Sequence, residues 1–185
     1  MGAIHPATPV KIFVGVLSSI PEMLPQVEAR LSRVFGVIDS RSTIYPFENT
    51  HYYDKEMGCP IKRCFLGFSA LILPDRMAWA KLKTNELEQE FAVESHGVKR
   101  PVNLDPGYLE LSKVVLASTK NFYHRLYLSD GIYGEATLHY ESGAWRSFPW
   151  TFPDFRSGCY DVYFLGLRTL YREQLKLLQN ESERS

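Results

Sequence analysis

This chain of 185 residues has no charge excess, with Lys+Arg at 21 and Asp+Glu at 21. Proteins that hold nucleic acid through its phosphates usually carry a basic surplus, because released counterions drive that binding. Composition therefore argues against nucleic acid as a partner. Cysteine is scarce and odd in number: Cys59, Cys64 and Cys159, with no C-x-x-C. That excludes a disulfide framework and a four-cysteine zinc site, and the thiols are expected to be free in a reducing compartment. The N-terminus, MGAIHPATPVK, has no basic region followed by an apolar run, and Gly2 lacks the hydroxyl residue that myristoylation needs. The longest apolar run, residues 65–73, is interrupted by Gly67 and Ser69 and is too short to span a bilayer. A cytoplasmic protein without a membrane partner is the expectation. Phosphate-loop and G-x-S-x-G patterns are also missing, as is any named metal-ligand spacing. No metal or cofactor is assigned, and neither is an oligomeric state.

What is present reads as an α+β domain covering residues 1–185. Residues 10–17, VKIFVGVL, are β-branched and bounded by Pro9 and Ser18, which predicts a buried strand. A helix follows, with a capping-box pattern at Ser19 and Glu22, apolar positions at Leu24, Val27, Leu31, Val34 and Phe35, and Gly36 to end it. A weaker strand is expected over 36–45, a loop over 47–58, a strand over 63–73, a second helix over 74–94 and a strand over 98–104. The order β-α-β-β-α-β over residues 9–104 is the ferredoxin-like split pattern, with both helices on one sheet face. An antiparallel β-meander is expected over 108–150. A C-terminal helix over 157–179 follows, carrying Tyr160, Phe164, Leu167 and Tyr171 at helical spacing.

Residues 103–137, NLDPGYLELSKVVLASTKNFYHRLYLSDGIYGEAT, hold the densest group of reactive side chains. A hairpin around Ser129-Asp130-Gly131, read as a three-residue loop, pairs Leu128 with Ile132, Tyr127 with Tyr133, and Arg125 with Glu135. In that register Arg125 and Glu135 share a face with Tyr123, Tyr127 and Tyr133, whereas His124 turns to the apolar side. Arg125 and Glu135 are first a cross-strand ion pair, and alternatively part of a site. Asp105-Pro106-Gly107 favours a turn over a site, and Ser118-Thr119-Lys120-Asn121 a polar loop that is also able to bind an anion. His51, Asp54 and Glu56 offer metal donors at a spacing that matches no known motif.

The segments THYYDKEMG, KLKTNELE, DPGY, STK-x-x-x-HR, GIYGEATL and WTFPDFRS, spread over nearly the whole chain, resemble the prokaryotic domain-of-unknown-function family 4416. The resemblance implies no established activity. Some members carry a GTP-binding label, but this chain has neither G-x-x-x-x-G-K-[ST] nor N-K-x-D, so that label is not carried over. The reading that follows from the residues is a pocket for a small anionic, phosphate-bearing ligand. Asn103, Asp105, Lys113, Lys120, Arg125 and Glu135 would line it, with Thr50, His51 and Glu56 closing over it. Glu135 or Asp105 would be the acid/base group in any catalysis. The alternative is a non-enzymatic module that binds RNA or a protein through the tyrosine-bearing sheet face.

Overall fold

The computed structural model describes residues 2–48, 53–95 and 97–182. Its fold is α+β, built on one antiparallel sheet of nine strands. The first strand, β1 (Val10–Ser18), leads through a 3-10 turn into α1 (Leu24–Phe35). Two short strands, β2 (Ile38–Arg41) and β3 (Tyr45–Pro46), precede a single helical turn, α2 (Asp54–Met57), and the long β4 (Lys62–Ile72). Then come α3 (Met77–Glu94), β5 (Val102–Leu109), β6 (Lys113–Ser118), the hairpin β7 (Leu126–Ser129) and β8 (Ile132–Glu141), and β9 (Ala144–Ser147). The short α4 (Pro153–Arg156) and α5 (Asp161–Ser182) complete the chain.

The strand order is β2-β4-β1-β5-β6-β8-β7, with β3 beside β4 and β9 beside β8. Thus β1 and β2, joined through α1, flank β4, and β4 and β5, joined through α3, flank β1. Alternation on β1 explains how the layers form. Ile12, Val14 and Val16 face α1 and α3, where Val27, Leu31, Phe35, Ala80, Leu87 and Phe91 close one core. Phe13 faces the other way, into a second core with Phe65, Leu116, Leu138, Phe155, Tyr160, Phe164, Leu167 and Tyr171. Helices therefore cover both faces of the sheet. The last helix packs on the middle of the sheet, over Phe65 and Phe13, and leaves Tyr123 and Tyr127 exposed.

Several local expectations are corrected. The capping box does not form: the Ser19 hydroxyl donates to the Met57 carbonyl, and α1 starts only after the 3-10 turn. The hairpin turn has two residues, with Asp130 (φ 52°) and Gly131 (φ 76°) both left-handed, and Ser129 faces Ile132. An irregularity between Tyr127 and Ser129 then restores the pairing of Tyr127 with Tyr133. The segment Asp105-Pro106-Gly107 is not a turn. It lies inside β5, which pairs with β1 along its whole length, Val14 facing Pro106 and Gly15 facing Asp105. Its ladder with β6 takes in only Gly107, Tyr108 and Leu109. Pro106 thus stands just before the second ladder begins, where a missing N–H interrupts least.

A cleft where two strands part

The functional candidate is the gap left where β5 and β6 diverge. At one end Gly107, Tyr108 and Leu109 face Leu116, Val115 and Val114. A Cβ on Gly107 would come within 2.5 Å of the Phe13 ring and 2.7 Å of the Val115 carbonyl, so only glycine permits this approach. Beyond it, Asn103–Asp105 and Ala117–Ser118 have no ladder with each other, and a cavity of about 630 Å³ opens on the α5 side. Gly15 and Phe65 line it from the sheet, Phe152–Phe155 from the α4 segment, and Tyr53 and Glu56 from the α2 segment. That volume is in the range of small-molecule sites.

Charged side chains fill the walls: Arg63, Lys81, Arg100, Lys120 and Arg125 against Glu56, Asp105, Glu135 and Asp154. Lys81 rises from α3 on the opposite face. Its ammonium donates to the Leu104 carbonyl at 2.9 Å and reaches Asp105 Oδ1 at 3.4 Å. Arg63 donates to Asp154 Oδ2 at 2.6 Å and lies 3.6 Å from Asp105 Oδ2. The Asn103 amide donates to the same Asp105 oxygen at 2.7 Å. Burial pushes the Asp105 carboxyl up, but Lys81, Arg63 and the Asn103 amide outweigh it and hold the group below the usual aspartate range. Arg100 donates to Glu88 at 2.8 Å and to the Asn103 side-chain Oδ1, and Glu88 also accepts from the Leu104 N–H at 2.7 Å. Burial raises the Glu88 carboxyl despite the nearby Lys81 and Arg100.

The second cluster sits at the β6 end. Glu135 is buried on β8, opposite Leu116. Its Oε2 accepts from Arg125 Nε at 2.6 Å and meets His124 Nε2 at 3.0 Å. Arg125 Nη1 donates to Ser118 Oγ at 2.9 Å and to the Lys120 carbonyl at 2.8 Å, which ties down the loop after β6. Its Nη2 makes no hydrogen bond among the described residues, while the side chain lines the cavity. His124 is not on the opposite face. It belongs to the turn closed by the Arg125 N–H on the Phe122 carbonyl at 2.9 Å, so strand alternation does not apply to it. Its ring stacks on Trp150 at 5.4 Å and 8°.

Of the residues expected at the site, the structure brings Asn103, Asp105, Lys120, Arg125, Glu135 and Glu56 around one cavity. Lys113 does not join them. It opens β6 at the laddered end, with Ser118 at the other, and pairs with Glu110 at 2.6 Å. Five residues of strand place it roughly 17 Å from Ser118. Thr50 and His51 lie outside the described residues. Sequence reasoning missed Arg63, Lys81, Arg100 and Asp154. Lys81 had a readable signal: it falls inside the apolar stripe of α3, with Met77, Ala80, Thr84 and Leu87. Arg63 lies in a strand buried on both faces, where no alternation marks it. Cys64 is buried, and burial raises its thiol to about 11, which suits packing rather than reactivity. Among the described residues no three His, Cys, Asp or Glu side chains form a metal-ligand group, and no helix is long and apolar enough to cross a membrane.

The family model described as a domain of unknown function (DUF4416) matches residues 8–171. No curated protein and no solved structure matches the chain.

Proposed function

The chain belongs to the DUF4416 family of unknown function, and we propose that its cleft binds a small anionic, phosphate-bearing ligand. The observation that carries this reading is Arg125. Two of its nitrogens are fixed by Glu135 and by the loop after β6, and the third has no hydrogen-bond partner among the described residues at the cavity wall. A guanidinium held this way meets an oxyanion with little ordering left to lose. Thr119 and Lys120 line the same end of the cleft. The two carboxylates take different parts. The Asp105 side chain is 29% exposed and the Glu135 side chain 1%. A ligand therefore reaches Asp105, and any proton transfer runs through Asp105 as acceptor. Glu135 acts through Arg125, as a positioning residue.

A thermal-shift series with inorganic phosphate, pyrophosphate and phosphate monoesters tests this. A ligand at 100 times its Kd stabilises by about 2.7 kcal/mol. The shift is expected for phosphorylated compounds and is expected to be lost in Arg125→Gln, read against that variant's own baseline. No shift with any anion refutes the reading.

A second reading rests on the exposed Phe122, Tyr123, Leu126 and Tyr127 beside the edge strand β7. Such a face suits an interaction module that stacks RNA bases or meets a protein. Retention on a nucleic-acid column that falls steeply with salt would support the RNA form. Salt-independent elution removes it.

A further inference from the structure

Most of the cations in the cleft are already committed. Arg63 is held by Asp154, Lys81 by the Leu104 carbonyl and Asp105, and Arg100 by Glu88 and Asn103. Among the described residues Arg63 Nε is buried without a hydrogen-bond partner, and the end beside Arg125 presents the unpartnered Nη2 at the cavity wall. A phosphate there leaves most of the 630 Å³ unfilled. The rest of the space surrounds Asp105, an acceptor held in its ionised form. A second anionic group placed there meets Asp105 and is repelled, whereas an ammonium meets Lys81 and Arg63 and is repelled as well. The group that fits is a neutral donor, a hydroxyl, which gains a charge-assisted hydrogen bond without adding charge. The cleft also offers rings that are not shut into the core: Phe152 is 42% exposed and Tyr53 half-buried, and both line the cavity. Such rings suit the C–H faces of a polyhydroxylated carbon skeleton.

Resting on the anion-site reading above, we propose that the ligand is a hydroxylated phosphate ester of the sugar-phosphate class. Its phosphate lies at Arg125 and a hydroxyl lies on Asp105. Recognition takes two points of opposite demand. A bare phosphate satisfies one of them, and an unphosphorylated sugar the other.

Calorimetric titration of the wild-type chain with methyl phosphate, ribose 5-phosphate and ribose separates these contributions. Ribose 5-phosphate is expected to bind at least about tenfold tighter than methyl phosphate, the gain of one hydrogen bond to a charged acceptor. Ribose alone is expected to bind far more weakly than either. Asp105→Asn is expected to narrow the ratio between the two phosphates, since the charged acceptor for the hydroxyl has been removed. Equal affinity for ribose 5-phosphate and methyl phosphate overturns the two-point proposal and leaves the anion site standing. Binding of neither overturns both. The ratio is read on the wild-type protein, so the outcome does not hang on how the variant folds.

Discussion

The two ends of the β5–β6 pair are built from the same two strands and differ in almost everything else. At the laddered end Gly107 lets the backbones meet, and Leu109, Val114 and Leu116 join the aromatic core beneath α5. At the open end the ladder has stopped, Pro106 offers no N–H, and the neighbours are Asp105, Lys81, Arg63 and, across the gap, Arg125 with Glu135. The difference shows how one pair of strands can both close a core and open a cavity. Two adjacent strands are pinned together at one end and released at the other, and a helix on the far face supplies a charge through the gap. The apolar end fixes the geometry, and the charged end is held open by mutual pairing of its side chains.

If that division of labour is correct, the largest effect comes from unpairing the open end. Glu135→Ala leaves Arg125, whose side chain is 11% exposed, beside an uncompensated gap. Breaking one partner of a buried pair costs about 3–5 kcal/mol. Urea unfolding should show that loss, with a clearly smaller one for Glu135→Gln. A mild effect below about 1 kcal/mol would mean that the pair behaves like a surface one.

Gly107→Ala attacks the laddered end instead. The new methyl would overlap the Phe13 ring and the Val115 carbonyl, and overpacking of this kind costs about 1–3 kcal/mol. A lower unfolding midpoint is the expected outcome. An unchanged midpoint would show that the two strands do not depend on close approach there.

Acid titration comes next in size. Asp105 has a folded pKa below its unfolded value, so its contribution to stability is full above the unfolded value of about 3.9 and is lost as pH falls through the folded one. Glu88 has the opposite sign: its pKa is raised by burial, so its contribution grows as pH falls through that raised value toward its unfolded value of about 4.3. Unfolding free energy measured against pH should therefore fall on the acid side below about pH 4, and Asp105→Asn should flatten that limb. An identical acid limb in the variant would remove Asp105 from the charge network.

The smallest effect belongs to Lys113→Ala. Its pair with Glu110 is partly exposed, and such pairs contribute about 0.2–1 kcal/mol. Unfolding should move by no more than that, and phosphate affinity should not move at all. A loss of affinity would place Lys113 in the site after all.

Much of this architecture is legible in the residues, and the failures have physical reasons. A β-branched run bounded by Pro9 and Ser18 locates β1, and helical spacing locates α5, because burial enforces both patterns. The segment Asp105-Pro106-Gly107 reads as a turn because local chemistry favours one. Pairing with β1 along the whole of β5 overrides that preference. His124 reads as facing away from Glu135 because alternation was extended past the start of β7, into a turn. Arg125 and Glu135 are found because a hairpin is local. Arg63 and Asp154, at 2.6 Å across 91 residues of chain, are not, since nothing local records a contact of that separation.

In the proposed function the open end, and not the laddered end or the β7 face, takes the anion. Backbone amide shifts recorded while inorganic phosphate is titrated into the ¹⁵N-labelled chain test it most directly. The perturbed amides are expected to cluster at Ser118, Thr119 and Lys120 and at Arg125, while Glu110 and Lys113 stay still. Perturbations centred on Lys113 and Glu110, or on Tyr123 and Tyr127, would contradict it.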